Sequence, residues 1–297
     1  MTNMIKYNTK KDSYKFKKES VNFFINIGLE VTRRCNLKCI HCCESVPVPD
    51  NSLENIKAMV DKLSSEGLKK ICITGGEPLL RKDLIDILRY IHDKEIYITL
   101  STNGLILDKD KLLSIKPYID NIRFSLHGKE KTHDKITRHK GSFRKVIDGI
   151  KIATNLRIPV SIVSSIIYQN YPEMLDIARV CENNGVGKLH FFSLISRGRG
   201  KFLYNKEYVS PENMKKKLNK ILNIAEKESW NLGLNIVDWA IEGRCALLFP
   251  DGTLVAIQSF KNKDNIRIVG NLLESSPRLL WNKYPFKENY INHYKIH

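Results

Sequence analysis

Residues 35–42 read Cys-Asn-Leu-Lys-Cys-Ile-His-Cys and carry three thiols at C-x3-C-x2-C spacing. The segment before them, residues 24–31, alternates apolar side chains with others, which predicts a β-strand. A loop that leaves the end of a strand can point several sulfurs at one spot, whereas a regular strand or helix with this spacing cannot. Because close thiolates suit a soft metal, this loop predicts a metal centre.

Two kinds of metal centre fit three close thiols. Structural zinc needs four protein ligands, and here only His41 or Cys43 could add a fourth to the triplet. A [4Fe–4S] cubane held by three thiolates instead leaves one iron open to an outside ligand. The lack of a second cysteine pair favours the cluster, and zinc stays the alternative on spacing alone.

A second motif follows the next predicted strand. Residues 70–74, Lys-Ile-Cys-Ile-Thr, indicate a short buried strand, and Gly75-Gly76-Glu77-Pro78 comes directly after it. Paired glycines let a backbone approach a ligand closely, and a neighbouring carboxylate can hold an ammonium group. Taken alone, this tetrapeptide is also typical of an ordinary strand-to-helix turn.

Together and in this order, the two motifs resemble those of the radical S-adenosylmethionine (SAM) superfamily, over about residues 24–195. The resemblance implies that Cys35, Cys39 and Cys42 hold one [4Fe–4S] cluster whose open iron is chelated by SAM. An electron passed to the sulfonium would break its bond to the 5′ carbon and give a 5′-deoxyadenosyl radical. That radical would abstract hydrogen from a substrate, with a donor such as flavodoxin or ferredoxin supplying the electron.

The rest of the chain alternates predicted strands and helices. After the strand at residues 24–31, strand patterns occur at residues 71–74, 96–101, 122–126, 160–167 and 188–194. Connections of this length return successive strands in the same direction, so the strands pair as a parallel sheet. The predicted fold class is α/β, with six units forming an open, partial (β/α)6 TIM-like barrel, as the resemblance also implies. A closed eight-unit barrel would need two more units.

Three parts are predicted along the chain: a basic N-terminal arm at residues 1–20, the barrel at residues 21–200, and a small C-terminal appendage at residues 201–297. The appendage contains a predicted β-hairpin around Pro250-Asp251-Gly252, then a strand at residues 266–271 and a short helix at residues 277–281. It resembles the SPASM/twitch extension of relatives but lacks the cysteines that hold auxiliary clusters there. We therefore expect a lid or substrate wall without a cluster.

The resemblance also implies SAM contacts, namely Gly75, Gly76, Glu77, Pro78, His41, Ser101, Asn103, Ser125 and Arg138. The glycines and Glu77 would hold the methionyl ammonium, Pro78 would fix the turn, and His41 would face the adenine. Ser101 and Asn103 would contact the ribose or methionyl end, Ser125 would lie near the ribose, and Arg138 would bind the carboxylate. The alternatives are an exposed loop imidazole, turn-capping polar groups and one surface charge among many.

The substrate class stays open between a peptide and an anionic small molecule such as a nucleotide or sugar phosphate. Arg197 and Arg199 lie in a predicted basic loop at residues 196–201, at the barrel mouth, where they could clamp a phosphate or carboxylate. A solvated basic loop is the alternative. Without a second cluster, a redox-neutral outcome or hydrogen quenching by a thiol is favoured. Cys245 is the candidate donor, with a buried small hydrophobe as its alternative role.

Charge and cysteine content limit the remaining classes. The 297-residue chain has a formal net charge of +17, which fits an anionic substrate, a nucleic-acid partner or a lysine-rich genome. Four of its seven cysteines lie within residues 35–43, unlike a secreted disulfide framework, and no apolar run approaches the ~18 residues of a membrane span. We expect a cytoplasmic biosynthetic or modification enzyme without a membrane or nucleic-acid partner. A non-catalytic, zinc-binding, nucleic-acid-associated protein is the alternative.

Overall fold

A ten-stranded sheet organises the part of the chain that this computed structural model describes, which is residues 23–43, 48–237, 246–257, 266–288 and 290. Cys245 and the predicted arm at residues 1–20 lie outside these described residues. In chain order the strands are β1 (Asn26–Thr32), β2 (Lys70–Gly75), β3 (Tyr97–Thr102), β4 (Asn121–Ser125), β5 (Val160–Ile166), β6 (Lys188–Ser193), β7 (Gly233–Val237), β8 (Ala246–Leu248), β9 (Thr253–Ile257) and β10 (Ile266–Asn271).

The helices connect these strands and begin at clear sequence signals. They are α1 (Leu53–Ser65), α2 (Leu84–His92), α3 (Lys109–Ile115), α4 (Glu130–Thr137), α5 (Ser142–Asn155), α6 (Met174–Asn183), α7 (Gly198–Glu207), α8 (Pro211–Lys227) and α9 (Pro277–Lys283). Ser52, Ser210 and Ser276 each accept a hydrogen bond from a backbone N–H in the first turn of α1, α8 and α9. None of the described helices is both long and apolar enough to cross a membrane.

Strands β1 to β7 pair in parallel and in chain order. The six predicted strands correspond to β1–β6, so the predicted α/β class with an open parallel sheet is confirmed. Strand β7 is a seventh parallel strand that the sequence analysis did not find. Its five residues are too few to establish an alternating pattern, and it forms because Leu189 and His190 of β6 offer a free edge in register with Leu234 and Asn235.

The predicted C-terminal hairpin forms and extends the same sheet at its other end. Strand β8 pairs in parallel with β1, and β9 and β10 follow it in antiparallel order. Gly28 gives room to the Leu247 side chain of β8, because a Cβ atom at Gly28 would lie 2.7 Å from Cδ1 of Leu247. The boundary predicted between residues 200 and 201 falls inside α7. The hairpin therefore lies directly beside the strand that leads into the cysteine loop.

The two sides of the parallel sheet differ in chemistry. Alternate residues of each strand point to opposite sides. On the helix-facing side, Ile71, Ile98 and Phe124 are fully buried in the core that the strands share with the helices. On the opposite side, which we call the open side, the strands carry half-buried polar residues, including Cys72, Ser101, Arg123, His190 and Asn235. The core therefore occupies one side, and the other is available for ligands.

Candidate cluster and cofactor site

The cysteine loop, residues 33–43, leaves the C-terminal end of β1 as predicted. Cys35 is exposed, and Cys39 and Cys42 are partly buried. Burial, followed by the nearby charges of Cys42 and Cys35, raises the pKa of the Cys39 thiol to about 12. The pKa of Cys35 is also raised, chiefly by burial. The three thiols are thus close enough to interact, and a metal centre that binds them as thiolates must displace their protons.

The donors of the cysteine loop are three thiols whose charges interact. A zinc ion needs four protein ligands that bind one atom, and zinc stays the alternative on these ligands alone. In a cubane each thiolate binds a different iron, so the cysteines need a shared opening rather than a shared point. Three thiols on one loop meet this requirement.

Glu77 links the ends of β2 and β3. Its side chain is fully buried, and Oε2 accepts a hydrogen bond from the backbone N–H of Asn103 at 2.7 Å. Oε1 accepts from Thr102 Oγ1 at 2.9 Å and from the Leu79 N–H at 3.1 Å. Burial raises the pKa of this carboxyl to about 7 in spite of these donors. The carboxylate therefore has a structural role within the chain, and its predicted contact with the methionyl ammonium stays a prediction.

The paired glycines pack against the start of the cysteine loop. The N–H of Gly76 donates to the Thr32 carbonyl at 2.7 Å, and the N–H of Glu77 donates to the Arg34 carbonyl at 2.8 Å. A Cβ atom on Gly76 would lie 2.2 Å from that Arg34 oxygen, so a larger residue cannot take its place without moving the loop. The sequence analysis missed this reason for glycine. Pro78 begins a short 3-10 helix that ends the turn.

Asn103 lies beside the first cysteine. Its Nδ2 donates to Asn36 Oδ1 at 2.7 Å and lies 3.8 Å from the Cys35 sulfur, and its Oδ1 accepts from the Leu105 N–H at 2.9 Å. The side chain thus caps its own turn, as the alternative role proposed, and also contacts the cysteine loop. The end of β3 is therefore fixed against the predicted cluster ligands.

The other predicted SAM contacts lie at or near the same end of the sheet. Ser101 faces the open side, with its Oγ 3.4 Å from the sulfur of Cys72. Ser125 is half-buried at the end of β4. Arg138 is exposed and adopts a left-handed backbone conformation, with a φ of 57°, two residues after Ile136. Because the Ile136 carbonyl accepts a hydrogen bond from the Ile40 N–H at 2.9 Å, Arg138 also lies near the cysteine loop.

His41 belongs to a row of three histidine rings that the sequence analysis did not find. Its ring centroid lies 4.4 Å from that of His127, whose ring stacks on His133 at 5.8 Å. Burial lowers the pKa of His41 and His133 to about 4 and that of His127 well below its ordinary range, so all three rings are neutral at pH 7. Within the described residues, His41 Nδ1 is buried without a hydrogen-bond partner. The predicted contact of His41 with the adenine stays a prediction.

The predicted basic loop at residues 196–201 is wrong for its second part, because α7 begins at Gly198, whereas Ser196 and Arg197 precede the helix. The N–H of Arg199 donates to the Cys42 carbonyl at 2.9 Å, and its Nε donates to the Cys39 carbonyl at 2.8 Å. A Cβ atom on Gly198 would lie 2.6 Å from the Cys43 oxygen. Glycine is therefore required by contact with the cysteine loop, and it does not indicate an irregular segment. Arg199 holds that loop in place.

Arg197 contacts the C-terminal hairpin. Its guanidinium carbon lies 5.2 Å from the ring centroid of Phe249, and that of Arg33 lies 4.1 Å from the same ring. Arg33 also pairs with Glu30 through a 3.0 Å contact and is almost fully buried. The tip of the hairpin is thus held between the segment that follows β6 and the start of the cysteine loop.

A match to the Radical SAM superfamily covers residues 29–181, a little over half of the 297 residues. The chain therefore belongs to the radical SAM superfamily. Membership implies a [4Fe–4S] cluster and SAM as cofactors, and the cysteine triplet with its supporting contacts fits that requirement. The predicted family, which rested on two short motifs, is confirmed.

Relatives and solved structures place the chain among proteins of several activities. It is 31% identical over 202 residues to the Fe-coproporphyrin III synthase of Methanosarcina barkeri, covering 66% of this chain and 50% of that protein. It is 33% identical over 200 residues to the GTP 3′,8-cyclase of Lactiplantibacillus plantarum, covering 63% of this chain and 59% of that protein. The chain thus spans about half the length of the curated relatives it matches.

The fold resembles that of SuiB from Streptococcus suis, solved with bound S-adenosylmethionine, with a TM-score of 0.76 and 15% sequence identity. The similarity covers 89% of this chain and 67% of that chain. SuiB has also been solved with its precursor peptide SuiA. At this identity the likeness concerns the fold, and it extends beyond the residues of the family match.

Proposed function

We propose that this protein is an enzyme that reductively cleaves SAM at one [4Fe–4S] cluster and abstracts hydrogen from a substrate. When bound, the cluster and SAM supply an electron and a 5′-deoxyadenosyl radical. The observation that supports this most is the cysteine loop, which is fixed at three places by its own chain. Gly76, Asn103 and Arg199 contact it from β2, β3 and α7. Such support is expected where ligands must be held in one geometry.

Under this proposal the chain holds and orients the cofactors. Cys35, Cys39 and Cys42 bind the cluster. The SAM contacts assigned by resemblance are Gly75, Gly76, Glu77, Pro78, His41, Ser101, Asn103, Ser125 and Arg138. Glu77 supports this role by fixing Asn103 beside Cys35. Placing the 5′ carbon against one C–H bond and excluding water are the tasks left to the protein.

The residues that follow position 200 would form a twitch-like appendage that bounds the site. The hairpin tip supports this, because Phe249 lies between Arg33 of the cysteine loop and Arg197. Within this proposal residues 21–200 form the barrel and residues 201–297 form the appendage. A hydrogen-donor role for Cys245 remains part of the proposal, although that residue lies outside the described part of the chain.

The proposed substrate is a peptide or an anionic small molecule in a biosynthetic or modification pathway. A precursor peptide bound to SuiB supports the first class, and the GTP cyclase among the relatives supports the second. A reducing partner such as flavodoxin or ferredoxin would deliver the electron. Without auxiliary clusters, a redox-neutral or hydrogen-quenched outcome is favoured. The grouping of cysteines in one loop suits a reducing compartment such as the cytoplasm.

The test is anaerobic purification and cluster reconstitution, followed by assay of 5′-deoxyadenosine with SAM and dithionite. We expect a brown protein that forms 5′-deoxyadenosine, and a Cys39→Ala variant that lacks both the colour and the product. Cys43→Ala is the matched control, because this fourth thiol of the loop is not an assigned ligand, and it should retain both. A colourless, zinc-loaded protein that binds nucleic acid and forms no 5′-deoxyadenosine would falsify the proposal.

A further inference from the structure

Arg123 occupies an unusual position for an arginine. It lies midway along β4 on the open side of the sheet, between the fully buried Ile122 and Phe124. One terminal nitrogen of its guanidinium donates to the Cys72 sulfur at 3.5 Å, and sulfur is a weak acceptor. Its Nε is buried and, within the residues that the structure describes, has no hydrogen-bond partner. No carboxylate of the described chain pairs with it.

Arg81 shows what a structural arginine looks like in the same protein. Its side chain is buried. Its Nε and one terminal nitrogen donate hydrogen bonds to the two carboxylate oxygens of Asp83, at 2.7 and 2.8 Å. The remaining hydrogen bonds go to the carbonyls of Val31 at 2.8 Å and Asn51 at 2.9 Å. Every face of that guanidinium is satisfied, whereas the Arg123 guanidinium has a single weak contact.

The surroundings of Arg123 are cationic. His190 of β6 lies close to it, and after burial, the charges of Arg123, Lys188 and Lys70 lower the pKa of His190 to about 3. The ring is therefore neutral at pH 7, and its Nδ1 lies 2.6 Å from Asn235 Oδ1. Following the strand register, the described open-side positions of β2 to β7 carry no aspartate or glutamate.

An arginine cannot lose its proton in a protein, and the buried Nε of this half-buried side chain lacks an acceptor, which costs free energy. A partner that arrives with a ligand would remove this cost. The guanidinium fork matches the two oxygens of a carboxylate or phosphate. Ser161 on the adjacent strand β5, and the neutral His190 and Asn235 further along the sheet on β6 and β7, offer hydrogen-bonding groups on the same side. The geometry therefore favours a specific site in which Arg123 binds one anionic group, rather than non-specific attraction of anions to a positive surface.

We propose that Arg123 anchors a substrate-binding site on the open side of the sheet that takes a carboxylate or phosphate group. The reaction is that of the proposed function, on which this inference rests. The new part is that the substrate carries an anionic group. Arg123 comes two residues before Ser125, so the anion lies about 7 Å below the strand ends where the SAM contacts are proposed. A substrate held there would extend from its charged group toward the strand ends, and its reacting carbon would lie nearer to them than the charged group does.

The test measures anion binding by the anaerobically purified holoprotein, using calorimetry and thermal unfolding. The phosphate probes are pyrophosphate and GTP, the carboxylate probe is citrate, and sodium chloride at equal ionic strength corrects for screening. We expect at least one probe class to bind and raise the unfolding temperature. Binding of phosphates alone identifies a phosphorylated substrate, and binding of citrate alone identifies a carboxylate substrate.

The decisive variant is Arg123→Met, with Arg144→Met and Arg81→Met as controls. Arg123→Met should weaken probe binding about tenfold to hundredfold. Without anions its stability should stay close to that of the wild type, because no carboxylate of the described chain loses a partner. Arg144→Met, at an exposed arginine, should bind the probes normally. Arg81→Met should be strongly destabilised, as expected for an arginine that is paired within the chain.

Three results overturn the inference: no probe binds the wild type more than chloride does, Arg123→Met and the wild type bind equally, or Arg123→Met is destabilised as much as Arg81→Met. The last result would show that Arg123 is paired inside the folded chain. Cluster colour and 5′-deoxyadenosine are measured on the same samples. A protein that binds anions through Arg123 but forms no 5′-deoxyadenosine contradicts the proposed function alone, and the reverse result contradicts this inference alone.

Discussion

The two sides of the parallel sheet are built from the same strands and have opposite properties. Toward the helices, the side chains of Ile98, Ile122 and Phe124 are fully buried and belong to the hydrophobic core. On the open side, Ser101 and Arg123 are half-buried and have few partners. Adjacent residues of one strand therefore belong to different environments. Residues that stabilise the core and residues that can bind a ligand therefore alternate along each strand.

The largest effect should follow from Phe124→Ala on the helix-facing side. The Phe124 ring is packed against Gly104 and Gly149, where Cβ atoms would lie 3.1 and 2.9 Å from ring carbons. We expect the free energy of unfolding, measured by urea denaturation, to fall by about 4 kcal/mol. The neighbouring change Ser125→Ala, on the open side, should cost less than about 0.5 kcal/mol. Similar losses in the two variants would contradict the separation of the two sides.

Glu77→Ala tests the end of the sheet, where the Glu77 side chain joins the ends of β2 and β3. It leaves three donors without their acceptor, those of Leu79, Thr102 and Asn103. We expect the free energy of unfolding to fall by about 3 kcal/mol. SAM affinity should also fall while iron content is retained, as measured by calorimetry and iron analysis. Glu130→Ala, at a surface ion pair with Arg144, is the control and should change neither quantity. Loss of iron in Glu77→Ala would assign this carboxylate to the cluster instead.

Acid should destabilise the protein through its buried neutral histidines. The pKa of His133 is lowered to about 4 by burial, so the unfolded chain takes up a proton below about pH 6.5 while the folded chain does not. Stability is therefore present at pH 7 and is lost as the pH falls from 6.5 toward 4, by roughly 2 kcal/mol at pH 5 for this residue.

His41, His127 and His190, whose pKa values burial also lowers, act in the same direction. Glu77, with its pKa raised to about 7, opposes them as a single group. Urea denaturation at pH 7, 6 and 5 checks this. His133→Gln should lose less stability on acidification than the wild type, and His139→Gln, at an exposed position, should lose as much. Stability that stays constant down to pH 5 would rule out neutral buried rings.

The smallest effect concerns Arg199, which braces the cysteine loop. Arg199→Met removes the hydrogen bond to the Cys39 carbonyl, an interaction of about 1 kcal/mol. We expect the reconstituted cluster of the variant to lose iron to a chelator about fivefold faster than that of the wild type. The cluster absorbance measures this loss, and the free energy of unfolding should change little. Lys201→Met removes an exposed charge from the same helix and should leave the rate unchanged. Equal rates in all three proteins would show that Arg199 does not support the loop.

Sequence patterns were sufficient for the features that repeat or are local. Alternating apolar residues predicted β1 to β6, and the spacing of Cys35, Cys39 and Cys42 predicted a centre at the end of β1. The contacts that fix this centre could not be predicted in the same way, because they join distant segments. The glycines of α7 indicate a loop until the carbonyls of the cysteine loop are seen against them. Arg123 looks like an ordinary strand residue until its missing partner is noticed.

The pairing of β8 with β1 has a consequence for the order of folding. Within the described residues, the edge of β1 that faces away from β2 pairs with residues 246–248. Tyr290 supports the same strand, because its hydroxyl accepts hydrogen bonds from the N–H groups of Ile25 and Asn26. These contacts join distant parts of the chain, 265 positions apart for Ile25 and Tyr290, and contacts of such separation are slow to form because they must close a long loop. We therefore expect the strand that leads into the cysteine loop to gain its outer edge late in folding.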